Sequence, residues 1–150
     1  MVIWNTSKEC MSTEDRRLLH DARLRKLVDR LYHHVPFYRQ LMQERNLTPG
    51  DISGISDIVL LPFTVKDDLR DNYPYDLFAA AETEIVRLHA SSGTTGKPTV
   101  VGYTRRDIEV WQECVARCLT MAGIGIGDKI QVAYGYGLFT GGLGLDHGAK

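Results

Sequence analysis

The chain of 150 residues is short of the features that would assign it quickly: excess charge of one sign, cysteine pairs, proline, and long apolar runs. Eighteen basic against nineteen acidic residues leave a formal net charge of −1, so no basic face is available for nucleic acid. No apolar stretch approaches the roughly 20 residues of a membrane span. The start, Met1-Val2-Ile3-Trp4-Asn5, is too short and too polar downstream for a secretory leader, which makes cytoplasmic residence the default expectation. Three cysteines, an odd number, fit a reducing compartment and argue against a disulfide framework. Cys114 and Cys118 have the spacing of two thiolate ligands, but without a matching second pair core packing is favoured. There is no H-E-x-x-H and no Ser/His/Asp order, and His20, His89 and His147 have no patterned partners. His33 and His34 fall at a helix end. No metal site is expected from these residues.

Against that background one stretch stands out: Ser91-Ser92-Gly93-Thr94-Thr95-Gly96-Lys97-Pro98. Gly93 and Gly96 carry no Cβ and can take positive φ, so successive backbone N–H groups can converge on an anion. Ser91, Ser92, Thr94 and Thr95 add hydroxyl donors, and Lys97 brings a mobile ammonium. A Lys–phosphate pair at contact is worth on the order of 4 kcal/mol at a surface-like dielectric, before desolvation is subtracted. The same composition also suits a flexible Gly/Ser linker. A Walker A loop is excluded, because Ser91 stands where its first glycine belongs and Pro98 where its Mg-binding hydroxyl belongs. Upstream, Ile85 to Ala90 alternates apolar with polar, and downstream Thr99 to Tyr103 is β-branched and aromatic. The loop is therefore expected to join two strands, without a helix N-terminus directly behind it.

Elsewhere the pattern is helical. Ser12-Thr13-Glu14-Asp15 predicts a helix start, with Leu18, Ala22, Leu27, Leu31 and Val35 as its apolar positions before Pro36 interrupts. The polar face of that helix carries Arg16, Arg17, Arg23, Arg25, Lys26 and Arg30, either a solvated face or a docking face. A second short helix is expected over Phe37 to Arg45, and a third from an N-cap at Thr64 through Arg70. Thr104-Arg105-Arg106-Asp107 predicts a capping box. The helix it opens places Ile108, Trp111, Val115, Cys118, Leu119 and Ala122 on one face and ends at Gly123. Lys129 to Tyr134 reads as a buried strand. The order of helices followed by β–loop–β–α–β implies an α/β fold, with parallel or antiparallel pairing left open.

A second candidate site follows. From Tyr134 to Gly144, alternating glycines, Gly141 among them, would let backbone pass close to a ligand, while Tyr134, Tyr136 and Phe139 could wall an aryl group. A glycine-rich turn with the aromatics in the core is the other reading of the same residues.

The Ser91–Pro98 run resembles the ATP-phosphate loop of adenylate-forming enzymes, the superfamily of acyl-CoA synthetases, luciferases and peptide-synthetase adenylation domains. Val35 to Arg39, Leu61 to Pro74 and Ala133 to Gly142, in this order and spacing, narrow the resemblance to the phenylacetate–CoA ligase family, from about Leu18 to Leu145. Past Leu145 a His-Tyr-Gly-Ala-Glu-like run would be expected, where this chain has Asp146-His147-Gly148-Ala149-Lys150.

What the resemblance implies can be set down residue by residue. Residues 1–150 would be the N-terminal portion of the AMP-binding domain, an incomplete α/β domain with the mobile C-terminal domain absent. Ser91, Ser92, Gly93, Thr94, Thr95, Gly96 and Lys97 would bind ATP phosphates, and Tyr134, Tyr136, Phe139 and Gly141 would line the acyl pocket. The implied co-substrates are ATP with Mg²⁺, an aryl acetate and CoA, in phenylacetate catabolism, with a homodimer possible for the intact enzyme. No catalytic residue is implied within these residues, and 150 residues alone would be inactive, at most binding nucleotide or a complementary chain.

Overall fold

The computed structural model describes residues 2–91, 98–135, 137 and 140–150, with the side chain of Thr140 left aside. The chain forms two compact units, one of residues 11–82 and one that joins residues 1–10 to residues 83–150.

The first of these is built on a long helix. After α1 (Thr6–Glu9), which belongs to the other unit, α2 runs over Thr13–His34. Ser12 caps it as expected, its Oγ accepting from the Asp15 N–H at 3.0 Å, which satisfies one of the orphan donors of the first turn. The helix stops where Pro36 removes a donor and becomes the first residue of α3 (Pro36–Gln43), the position a helix tolerates proline best. Arg39, on α3, turns back to donate from Nε to the Tyr32 carbonyl at 2.9 Å and from Nη2 to the His33 carbonyl at 3.3 Å. The last carbonyls of α2 are thereby satisfied by a cation, which also suits the negative end of the helix.

The face that α2 buries differs from the expected one. Leu24, Val28 and Val35 are buried, whereas Leu18 and Leu27 are 52% and 51% exposed. Leu24 and Val28 pack with Met42 and Ile52, with Tyr32, Leu47, Ile55 and Leu61 closing around them. The reason lies in Asp21, which shares that face and accepts from the Ile55 N–H at 2.8 Å, while Arg25 donates to the Ser53 carbonyl at 2.6 Å. These two anchors rotate the helix so that residues 24 and 28 meet the core. The expected short helix appears as α4 (Lys66–Asp71), entered from Val65 in place of Thr64 because the Asp68 carboxylate accepts from the Val65 N–H at 2.7 Å.

The other unit holds the hairpin. β1 (Ile85–Ala90) and β2 (Val100–Thr104) pair antiparallel, with Arg87 opposite Tyr103 and His89 opposite Val101. Thr104 then caps α5 (Arg105–Met121) through the expected box: its N–H and hydroxyl donate to the Asp107 carboxylate, and its Oγ accepts from the Asp107 N–H. Past the helix, Gly123 takes φ +91°, the left-handed value that ends α-helices. Lys129 to Tyr134, expected to be a buried strand, carry no regular structure and are largely exposed. No third strand lies beside the hairpin among the described residues for them to pair with.

Where a glycine-rich turn was one expectation, the chain forms a helix, α6 (Thr140–Ala149). Glycine costs about 1 kcal/mol per helical position against alanine, so this helix depends on tertiary packing. It lies on α5 with Gly144 against the indole of Trp111 and Gly148 against Val115, so closely that a Cβ on either would collide. Cys114 and Cys118 are exposed and free rather than packed in a core, the α6 contacts on α5 falling at Trp111, Gln112 and Val115. The N-terminal segment belongs to the same unit. Trp4 Nε1 and Asn5 Nδ2 donate to the Glu113 carboxylate at 3.0 and 2.6 Å, and Arg117 Nη2 donates to it at 2.8 Å. These hydrogen bonds, those of Trp4, Arg117 and Asn5 in turn, hold the Glu113 carboxyl down from 4.5 to about 2.

Candidate functional site

The hydroxyl–glycine–lysine run lies in the connection between β1 and β2, so the expectation of a loop between two strands is met. Its mouth is closed by two hydrogen bonds. The Ser91 N–H donates to the Thr99 carbonyl at 2.9 Å, and the Thr99 N–H donates to Ser91 Oγ at 3.0 Å. Ser91 thus carries the antiparallel pairing one step past Ala90 and Val100 and spends its hydroxyl on the loop's own backbone. Any anion held within the loop would be held by local amides, hydroxyls and the Lys97 ammonium, because a strand and not a helix N-terminus follows. Ser92, Gly93, Thr94, Thr95, Gly96 and Lys97 lie outside the described residues.

One residue at this mouth escaped the sequence reading. His89, two positions before Ser91, is 2% exposed. Its ring stands edge to face with Tyr103 at 5.2 Å and with Trp111 at 5.5 Å, and Tyr103 and Trp111 lie 5.3 Å apart. Neither ring nitrogen has a hydrogen-bond partner among the described residues. An N–H directed at an aromatic face gives a weak interaction in place of a hydrogen bond. The period-two alternation of β1 points the other way, since the polar Arg87 and His89 share the inner face while the apolar Val86 and Leu88 are exposed.

The aromatic–glycine tract is described in part. Tyr134 is 58% exposed, and Gly141 is exposed in the first turn of α6. Tyr136 and Phe139 lie outside the described residues. The tract doubles back on itself: a Cβ built on Gly142 would stand 3.0 Å from the Gly135 carbonyl oxygen and 3.4 Å from that of Tyr134. Among the described residues of the tract, Gly142 here and Gly144 against Trp111 are the places where a missing side chain is required. Among the described residues no three His, Cys, Asp or Glu side chains gather as metal ligands, and no helix is long and apolar enough to cross a membrane.

Comparison with known proteins bears on the whole segment. No family model matches the chain. It is 50% identical over 149 residues, 99% of its length, to a phenylacetate-coenzyme A ligase of Thermus thermophilus, of which it covers 34%. It is 56% identical over 142 residues, 95% of its length, to that of Pseudomonas putida, of which it covers 32%. The chain spans about a third of the length of the curated relatives it matches. Among solved structures, a 2-hydroxyisobutyryl-CoA ligase in complex with 2-HIB-AMP and CoA superimposes with a TM-score of 0.88 at 31% identity, over 98% of this chain and 32% of that one. An open conformation of that ligase gives 0.87 at 29% identity.

Proposed function

We propose that this chain, phenylacetate–CoA ligase in sequence kinship and the N-terminal part of an adenylate-forming CoA ligase in fold, supplies the phosphate grip of an AMP-forming ligase for an aryl acetate. The observation that carries the reading is the placement of Ser91–Pro98 in a hairpin connection clasped by Ser91 and Thr99, inside a segment that shares half its residues with those ligases. In the intact protein a carboxylate oxygen of the acid attacks the α-phosphorus of ATP–Mg, the bond to the β-phosphate bridging oxygen breaks, and pyrophosphate leaves. The CoA thiol then loses its proton and attacks the acyl carbon, a thioester forms, and AMP departs. Negative charge grows on phosphate oxygens in the first step, so donors fixed beforehand stabilise it most.

The residues take distinct parts in this reading. Thr94, Thr95, Gly96 and Lys97 hold the β- and γ-phosphates and help pyrophosphate leave, while Ser91, Ser92 and Gly93 shape the turn. Tyr134, Tyr136, Phe139 and Gly141 form one side of the acyl pocket, and phenylacetate is the acid proposed. Residues 1–150 form the N-terminal portion of the AMP-binding domain, at work in the cytoplasm in aryl-acetate catabolism, with the intact enzyme a homodimer. The test is pyrophosphate release on phenylacetate: Lys97→Ala in the intact protein should lower it on the order of a hundredfold, and an unchanged rate would sink the assignment.

Because the chain spans about a third of its relatives, the 150 residues by themselves bind nucleotide weakly or associate with a complementary chain, without turnover. Titration calorimetry with ATP–Mg measures that binding. Turnover by these residues alone would exclude the second part of the reading.

A further inference from the structure

Trp111 occupies an unusual position in the unit that carries both candidate sites. One edge of its environment is His89, buried and edge to face with it at 5.5 Å, two residues before the clasp at Ser91. Another is Gly144 on α6, where the indole fills the space a Cβ would take. α6 begins at Thr140, within the aromatic–glycine tract, and Gly144 is the tract's last residue. The strand that leads into the loop and the helix that carries the end of the tract therefore meet on one side chain. Close-packed interiors transmit displacement because there is little free volume to absorb it.

We propose that Trp111 is a positioning residue that sets the Ser91–Thr99 mouth and the α6 end of the aromatic–glycine tract together. A change on one side displaces the ring and is felt on the other. Among the described residues His89 has ring contacts with Tyr103 and Trp111 and no hydrogen bond to fix its nitrogens, so its place follows those rings. The functional side of this inference rests on the ligase reading: acid bound near the tract would help fix the loop for ATP, and ATP the tract for acid.

Two measurements separate the coupling from that reading. In the full chain, hydrogen exchange of the Ser91 amide, which bonds to the Thr99 carbonyl, reports the mouth without any ligand. Gly144→Ala, some fifty positions away in sequence, should speed that exchange about fivefold or more. Joining it with Trp111→Phe, which removes the indole atoms a Cβ would strike, should restore the slow rate. Trp111→Phe alone opens space instead of crowding it and should also speed exchange, so the outcome does not depend on one variant folding. Exchange at Ser91 unchanged in both single variants overturns the coupling, as does a double variant no slower than Gly144→Ala. In the intact protein, Gly144→Ala should raise KM for ATP, and His89→Phe should raise KM for the acid, each about fivefold. Loss of kcat with both KM values unmoved would mark a merely structural role and overturn the functional side. A wild-type protein that forms no acyl adenylate would overturn the ligase reading and leave the exchange result to stand by itself.

Discussion

Ser91 and Thr99 hold each other across the mouth of the hairpin, N–H to carbonyl at 2.9 Å in one direction and N–H to hydroxyl at 3.0 Å in the other. The second bond needs the serine side chain. Ser91→Ala leaves the Thr99 N–H without its acceptor, and a net loss of about 1 kcal/mol is expected. The Thr99 amide should exchange about fivefold faster, while amides within α2, in the other unit, keep their rates.

Glu113 gives the chain an acid-sensitive fastening. Its folded value, about 2, lies below the ordinary 4.5, so the unfolded chain binds the proton first as pH falls. The stability it contributes is complete above about 4.5 and is lost as pH drops towards 2. Melting temperature should fall more steeply over that window in the natural chain than in Glu113→Gln, and parallel curves would count against the fastening. Emission from Trp4, which donates to this carboxylate, should change over the same window.

Arg39 closes the end of α2 through the Tyr32 and His33 carbonyls. Arg39→Ala should cost about 1.5 kcal/mol, as for a charged donor withdrawn from partly buried acceptors. Arg39→Lys should recover only part of this, since one ammonium does not reproduce the planar fork that reaches both oxygens. Urea midpoints of the three proteins would show the order.

Gly148 rests on Val115, with the Gln112 carbonyl 3.3 Å from where a Cβ would stand. Gly148→Ala improves intrinsic helix propensity and should nonetheless destabilise, by about 1 to 3 kcal/mol, because α6 would be pushed off α5. A higher melting temperature would show that α6 does not need this contact.

Native thiol titration provides a further check. Cys10, Cys114 and Cys118 are all exposed and free, so all three should react with an aromatic disulfide reagent before any unfolding.

Local chemistry was the legible part of this fold. Ser12 before Thr13 and Thr104 before Asp107 announce helix starts because their hydroxyls meet orphan N–H groups in the same few residues. Pro36 ends α2 for an equally local reason. The run of small and hydroxylic residues between two β-rich segments gave the hairpin, and with it the loop. What long-range packing decides was not legible. Leu18 and Leu27 are as apolar as Leu24, and the anchoring of Asp21 to Ile55 and of Arg25 to Ser53 selects which of them turns inward. α6 has four glycines in ten residues, so propensity points away from a helix that α5 nonetheless supports. The cysteines of α5 read as core for the same reason: their exposure depends on where α6 lies. At the site, His89 and Gly144 carry no motif, and only the packing of β1, α5 and α6 brings both to the Trp111 ring.

The bond between Trp4 and Glu113 spans 109 positions. A growing chain emerges at about 5 to 20 residues per second, so the first residues wait roughly 5 to 22 s for their partner to be made. In that interval the whole of residues 11–82, a compact unit in its own right, is synthesised and free to fold. The N-terminal segment is thus made before residues 11–82 and can meet Glu113 only after them, and Trp4 stays 56% exposed even when bound.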